Sequence, residues 1–391
     1  MVRKIAALIL SALLIAVPAA AREALSTNPV EPAPPIELNC ESAILIEPES
    51  GQVIFEKDAD ARRPVASVTK IMAILLCCEA VEQGRISLDD TVAISRQAEQ
   101  MGGSQVLLDV GETQTVRVLL KSMIVGSAND ATVAMGEFLF GSEQLMVERM
   151  NARAAELGMN DTRFVNSTGL PAEGHYTTAR DVARMSMELI KHPVYFEFST
   201  IWMDEVDHGD GRVTQLTNTN RLIRLYEGCD GIKTGSTQEA GYCISASAVR
   251  GDMRLIAVAL GAKTGKERFS IAGDMLDYGF ATYRRLRVAQ QGARVRGEMR
   301  VTGGQTDAVP LYLDGDLTLL VKKGEEDQIE LTPNLPESIH APVEAGQQVG
   351  EVEIKRDGRT VGRIAVAAQN SVGRQTLFTG LGRVLARWFY Q

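Results

Sequence analysis

The sequence predicts an α+β fold followed by a small all-β unit. Three observations carry that expectation. Short apolar runs stand at both ends of the segment 38–286, at residues 43–46 and 53–55 and again at 241–249 and 254–260. A long stretch with helical periodicity separates them. From residue 288 to 368 the pattern becomes alternation with period two, interrupted by Asp-Gly pairs.

The elements follow in order. Arg3 and Lys4 precede an unbroken apolar run over residues 5–17, then Pro18 and three alanines. This is the layout of an export signal, residues 1–21, with cleavage expected after Ala21. The alternative is an uncleaved anchor, for which the run is short. Residues 22–37 hold Pro29, Pro32, Pro34 and Pro35 and read as an extended linker. In the main domain, 38–286, the first two apolar runs flank Glu49-Ser50-Gly51 and form a hairpin. Helices are expected over 67–83, 115–125, 128–140, 142–157, 179–191 and 266–286. The strands 241–249 and 254–260 are split by Gly251-Asp252, so the two ends of the domain supply its sheet.

In the β unit, residues 287–370, two Asp-Gly pairs read as hairpin turns. Asp314-Gly315 separates Val309, Leu311 and Leu313 from Leu317 and Leu319. Asp357-Gly358 separates Val352 and Ile354 from Val361, Ile364 and Val366. In residues 374–391, Leu377, Phe378, Leu381, Val384, Leu385, Trp388 and Phe389 share one helical face, opposite Arg383 and Arg387. Such a helix is too short and too charged to span a bilayer and suits the membrane surface. Packing on its own protein is the alternative.

Composition sets outer limits. The 391 residues are 45% hydrophobic and 23% charged, which excludes a disordered chain, a collagen-like fibre and a multi-span membrane protein. Lys and Arg total 41 against 50 Asp and Glu, a formal charge of -9, which argues against nucleic acid as a partner. The five cysteines have no CxxC spacing, and Cys77-Cys78 lies inside an apolar helical run, so no disulfide is assigned. The four histidines are scattered, with no HExxH and no Cys/His cluster, so neither a metal nor a cofactor is expected.

Three motifs carry chemistry. In Ser67-Val68-Thr69-Lys70, a hydroxyl at the start of a helix has an amine one turn on, on the same face. A serine needs a base within hydrogen-bond reach, and an amine serves only if burial or a second cation lowers its pKa. Ser127-Ala128-Asn129 follows Gly126 between two helices; its polar side chains are candidates for a site or simply an N-cap. Lys233-Thr234-Gly235 follows Asp230-Gly231-Ile232 just before a strand. Lys and Thr there suit an anion, and Gly allows a substrate backbone close approach; an exposed turn is the plainer reading. Each motif alone is weak. Their order and spacing together form the set in which SxxK, SxN and KTG converge on one cleft.

On these residues the chain resembles the D-alanyl-D-alanine carboxypeptidases, the low-molecular-weight penicillin-binding proteins of the penicilloyl-serine transferase superfamily. The matching stretches are 64–72, 126–131, Asn166-Ser167-Thr168-Gly169-Leu170-Pro171, 230–235, Ala240-Gly241-Tyr242 and Leu260-Gly261-Ala262. The resemblance covers residues 38–285 and extends more weakly through the β unit and the terminal helix. Ser236 departs from it, standing where some members carry His. The resemblance implies a transpeptidase/β-lactamase-like domain, an antiparallel sheet with a helical cluster.

It also implies roles. Ser67 attacks the carbonyl between the terminal D-alanines of a peptidoglycan stem peptide, and Lys70 accepts its proton. Ser127 relays a proton to the leaving amine with help from Lys233. Asn129 bonds the substrate backbone, and Lys233 and Thr234 hold the terminal carboxylate, with Arg268 as a further carboxylate partner. The main-chain N–H groups of Ser67 and Ser236 form the oxyanion hole. β-Lactam antibiotics acylate the same serine, and no cofactor is needed. The expected enzyme is exported and peripheral on the outer face of the cytoplasmic membrane.

Two alternatives stay open. A serine β-lactamase shares the motifs, but its commonest class needs a glutamate-activated water. No convincing Glu-x-x-x-Asn element stands between Ser127 and Lys233; Glu173 is the only candidate near Pro171, and it lacks the following Asn. A non-enzymatic wall-binding protein would not need Ser67, Lys70, Ser127, Asn129 and Lys233 intact.

Overall fold

The computed structural model describes residues 38–376. The expected signal peptide 1–21 and linker 22–37 lie outside the described residues, as do positions 377–391 of the expected terminal helix. Just before that point Arg374 bridges to Gly304, and Gln375 N donates to Gly303 O, so these two residues extend the β unit.

The two ends of the main domain do build one sheet. Its strands run in the order Gln52–Lys57, Ser42–Glu47, Met253–Ala262, Gly241–Arg250 and Cys229–Thr237, all antiparallel. Strand Ser42–Glu47 is buried along its whole length because both of its faces are covered. Ile44 and Ile46 point into a core made with the helical middle. Ala43 and Leu45 point into a second core made with the helix Gly265–Thr282. Met253–Ala262 divides likewise, with Ile256 and Val258 on one side and Leu255 and Ala257 on the other. Period-two side-chain direction thus feeds two cores from single strands.

Helix Lys70–Glu82 runs through the larger core, and its residues from Lys70 to Ala80 are buried. It is apolar all round because helices Asn129–Phe140, Glu143–Glu156 and Ala179–Leu189 surround it. Ser142, Thr178 and Thr264 cap their helices by accepting backbone N–H bonds, which fixes where those helices begin.

Four expectations need correction. Ser67 does not open the α-helix. It sits in a 3-10 turn, Ala66–Thr69, ahead of it. KTG is not a turn before a strand, because it lies within the nine-residue edge strand Cys229–Thr237. The helix expected to reach Leu286 ends at Thr282, where Tyr283–Ala289 becomes a strand paired with Leu317–Lys322. There, ladder bonds to a partner distant in sequence override local helical pattern.

The fourth correction concerns Asp314-Gly315, which is not a hairpin. Ala308–Leu313 pairs with Arg294–Thr302 and Arg359–Ala368, so the chain crosses there between two sheets. Asp357-Gly358 is the expected two-residue hairpin, with Arg356 opposite Arg359 and both turn residues at positive φ, 52° and 73°. The β unit is therefore a six-stranded sheet beside the two-stranded one. Among the described residues no helix is long and apolar enough to cross a membrane. All five cysteines are buried and free.

Candidate active site

The nucleophile turn explains the spacing of SxxK. In a 3-10 turn residues three apart eclipse one another. Lys70 Nζ therefore lies 3.0 Å from Ser67 Oγ. The turn is held in place from two sides. The residue before Ser67, Ala66, has φ 49°, a left-handed conformation that a non-glycine residue keeps only when its surroundings enforce it. A Cβ on Gly235 would stand 2.5 Å from Val65 O and 2.8 Å from Ser67 N. The close approach at this glycine is thus that of the chain's own backbone, where a substrate backbone was expected.

Gly169 supplies the opposite wall. Its φ is 80°, and a Cβ there would overlap Ala66 O. The loop that carries it is tied by Asn166 Oδ1, which accepts from Thr168 N and Gly169 N. Its product is an aimed carbonyl: Lys70 Nζ donates to Thr168 O at 2.8 Å. Behind the turn, His175 Nδ1 accepts from Val165 N, which leaves Nε2–H to donate to Thr69 Oγ1 at 2.8 Å.

Lys70 is fully buried. Burial, and then the charge of Lys233, holds its pKa well below the ordinary lysine value, while Asp130 pulls the other way. Lys233 is buried as well, and burial followed by the Arg268 charge brings it to about 7. One lysine is therefore driven toward the neutral form and a neighbour titrates near neutrality, the arrangement that a base and an anion-binding cation need.

Ser127 ends a π turn, Ser122–Gly126, with φ 63° and almost complete burial. Among the described residues no hydrogen bond joins its hydroxyl to Ser67 or Lys70. Asn129 follows at the start of its helix; Asn129 Nδ2 donates to Gly102 O, and its Oδ1 is buried without a partner among the described residues. Asp130 accepts from the N–H groups of Val106 and Leu108, pinning the loop that passes over this corner.

Thr234 Oγ1 donates to Thr219 Oγ1 at 2.9 Å, and Ser236 is exposed one residue past Gly235 on the same edge strand. Arg268 Nη1 donates to Gly235 O at 3.0 Å from the helix Gly265–Thr282. The structure thus gathers Ser67, Lys70, Lys233, Thr234, Gly235 and Arg268 around one turn and one strand, with the Ser127–Asn129 corner built against the loop at Gly102.

Sequence reasoning gave no role to Thr168, Thr219, Asp130 or His175. Thr168 acts through a main-chain oxygen, which leaves no trace in residue type. The Asn-Ser-Thr-Gly run was the available signal, since Asx turns of this kind shape loops.

Residues 28–264 match the D-alanyl-D-alanine carboxypeptidase family, and residues 283–374 match the C-terminal domain of penicillin-binding protein 5. The chain belongs to the D-alanyl-D-alanine carboxypeptidase family. DacF of Bacillus subtilis, a D-alanyl-D-alanine carboxypeptidase, is 40% identical over 89% of this chain and 89% of its own length. DacA of Escherichia coli is 34% identical over 83% of this chain and 81% of its own. Penicillin-binding protein 5 from Haemophilus influenzae superimposes with a TM-score of 0.76 at 29% identity, covering 88% of this chain and 100% of that one. The α+β transpeptidase-like fold and the all-β unit are those of this carboxypeptidase family, and membership makes the chain a serine peptidase.

The β-lactamase alternative finds no support at its key point. Glu173 is exposed, and among the described residues the groups within hydrogen-bond reach of Lys70 Nζ are Ser67 Oγ and Thr168 O, neither a carboxylate. A candidate metal cluster, Glu79, Glu188 and His192, lies elsewhere. There Arg153 sits 2.8 Å from both carboxylates and Lys191 2.7 Å from Glu188, so the carboxylates are already paired with cations.

Proposed function

We propose that this chain removes the terminal D-alanine from peptidoglycan stem peptides through an ester on Ser67. The observation that carries the reading is the 3.0 Å contact between Ser67 Oγ and an amine that burial keeps toward its neutral form. Neutral Lys70 takes the proton of Ser67 as Oγ attacks the carbonyl between the two D-alanines. The N–H bond to Thr168 O orients the amine so that its lone pair meets the hydroxyl.

The peptide lies along Cys229–Thr237, the edge of the sheet, whose outer backbone groups suit an added strand. Asn129 Oδ1 accepts an N–H of that peptide. Charged Lys233 and the Thr234 hydroxyl hold the terminal carboxylate, with Arg268 behind them, and the N–H groups of Ser67 and Ser236 receive the developing oxyanion. Ser127, assisted by Lys233, passes the proton to the leaving nitrogen. Water then cleaves the ester, and Lys70 again serves as base.

The substrate is fixed to the cell wall, so the enzyme works outside the cytoplasm. The export signal expected at 1–21 supports that placement, and the amphipathic sequence that follows the β unit supports peripheral attachment to the outer face of the cytoplasmic membrane. β-Lactams acylate Ser67 by the same route. Incubation with diacetyl-L-Lys-D-Ala-D-Ala tests the reading. Free D-alanine is the expected product, and its absence with an intact, folded protein refutes the activity.

A further inference from the structure

Beside the groove just described lies a cavity of about 660 Å³ whose lining includes Trp202, Thr219, Arg221, Arg224, Leu225 and Arg268. Thr219 forms its connection to the site: Thr219 Oγ1 accepts from Thr234 Oγ1, and Thr219 N donates to Val125 O just ahead of Ser127. The cavity therefore opens on the Thr234 side of the nucleophile.

Its charge is unusual for this chain. Three arginines line it in a protein whose net charge is -9. Other arginines are paired with carboxylates: Arg254 with Asp230, Arg250 with Asp277 and Arg212 with Asp210. Among the described residues no carboxylate pairs with Arg221, Arg224 or Arg268. Arg224 instead lies over the Trp202 ring at 5.7 Å, and Arg268 over Phe269 at 4.8 Å. Arg268 Nε is buried without a partner among the described residues. Arg221 and Arg268 are close enough to repel, which adds to burial in lowering the Arg268 pKa. Arg221 and Arg224 are exposed at the cavity wall, and guanidinium groups with no carboxylate partner among the described residues are suited to bidentate capture of carboxylates.

We propose that Arg221 and Arg224 form a subsite for a second acidic group, carried by the residue that leaves when the peptide bond is cut. The inference rests on the reading that Lys233 and Thr234, with Arg268 behind them, hold the first carboxylate. That places the cavity beyond the scissile bond. A single D-alanine has one carboxylate, and Lys233 and Thr234 with Arg268 suffice for it. Two further arginines on that side fit a larger leaving residue, a D-amino acid with an acidic side chain or with a second carboxylate at the end of a cross-link.

Binding in the full chain carrying Ser67→Ala, which cannot form the ester, tests the subsite by calorimetry. The probes are acetyl-D-Ala-D-Glu, acetyl-D-Ala-D-Ala and succinyl-D-Ala-D-Ala, the last with its extra carboxylate on the acyl side. The D-Glu probe is expected to bind at least fivefold tighter than acetyl-D-Ala-D-Ala, and the succinyl probe no more than twofold tighter. In the Arg221→Ala/Arg224→Ala double variant the D-Glu advantage falls to about one, and Arg224→Glu reverses it. A ratio near one in the unsubstituted cavity overturns the proposal. So does a ratio that the double variant leaves unchanged, or an equal gain from the succinyl probe. D-alanine release by the wild type reports separately on the parent reading.

Discussion

Gly235 and Ser67 are packed backbone to backbone: a Cβ on Gly235 would lie 2.8 Å from Ser67 N, 2.9 Å from Val68 N and 2.5 Å from Val65 O. The edge strand and the nucleophile turn thus fix each other's position. Main-chain atoms cannot swing aside as a side chain does, so Gly235→Ala must push the turn off the strand. The expected cost is about 1–3 kcal/mol of stability, together with a loss of penicillin acylation of about 100-fold or more, because small displacements at a reacting centre are costly. Thermal unfolding and the rate of fluorescent penicillin labelling check both. Gly292→Ala, with nothing within 4 Å of its Cβ but φ 79°, is the comparison, expected to lose about 1 kcal/mol and no acylation rate.

Lys70→Ala removes the base and leaves Thr168 O without its donor. Acylation is expected to fall by about 10³-fold or more while the protein stays folded, since a buried amine is lost along with its desolvation cost. Labelling at the wild-type rate overturns the assignment.

The two lysines set a pH profile. Lys70 acts when neutral, and burial with the Lys233 charge depresses its pKa, so its acid limb lies well below ordinary lysine titration. Lys233 acts when charged, and it titrates at about 7 through burial and Arg268. The profile of kcat/KM therefore rises with pH and then falls above about 7. A bound carboxylate favours charged Lys233, so the falling limb of kcat lies at higher pH. Arg268→Gln removes one source of the depression and moves the falling limb of kcat/KM upward. A limb that does not move refutes the coupling of these two cations.

His175 adds an acid sensitivity outside the chemistry. Burial lowers its pKa from 6.5 to about 4. Above 6.5 the ring is neutral in both folded and unfolded chains. As pH falls toward 4 the unfolded chain takes up the proton first, so stability drops by about 1.4 kcal/mol per pH unit, roughly 3 kcal/mol in all. Urea unfolding at pH 7 and pH 4 is expected to show this loss, and His175→Gln to remove most of it. An unchanged pH slope in that variant overturns the account.

Much of the site was legible because its chemistry is local. Ser67 and Lys70 are three residues apart, and one turn brings them together. The KTG strand was not legible, since Asp230-Gly231-Ile232-Lys233-Thr234-Gly235-Ser236 lacks apolar alternation and becomes a strand through pairing with Gly241–Arg250. The two Asp-Gly pairs make the same point. Asp357 adopts positive φ and closes a hairpin, whereas Asp314 does not and the flanking strands find other partners. Thr168 shows a further limit, because a carbonyl aimed at Lys70 depends on a loop fold and not on its side chain. The sheet itself was legible from its two apolar ends, since two buried faces demand near-continuous apolar strands.

The most direct test of the central claim is intact-protein mass after brief exposure to benzylpenicillin, followed by peptide mapping. One adduct per chain, on Ser67, absent in Ser67→Ala and formed far more slowly in Lys70→Ala, is the predicted result. An adduct on any other residue, or undiminished labelling of Ser67→Ala, contradicts it.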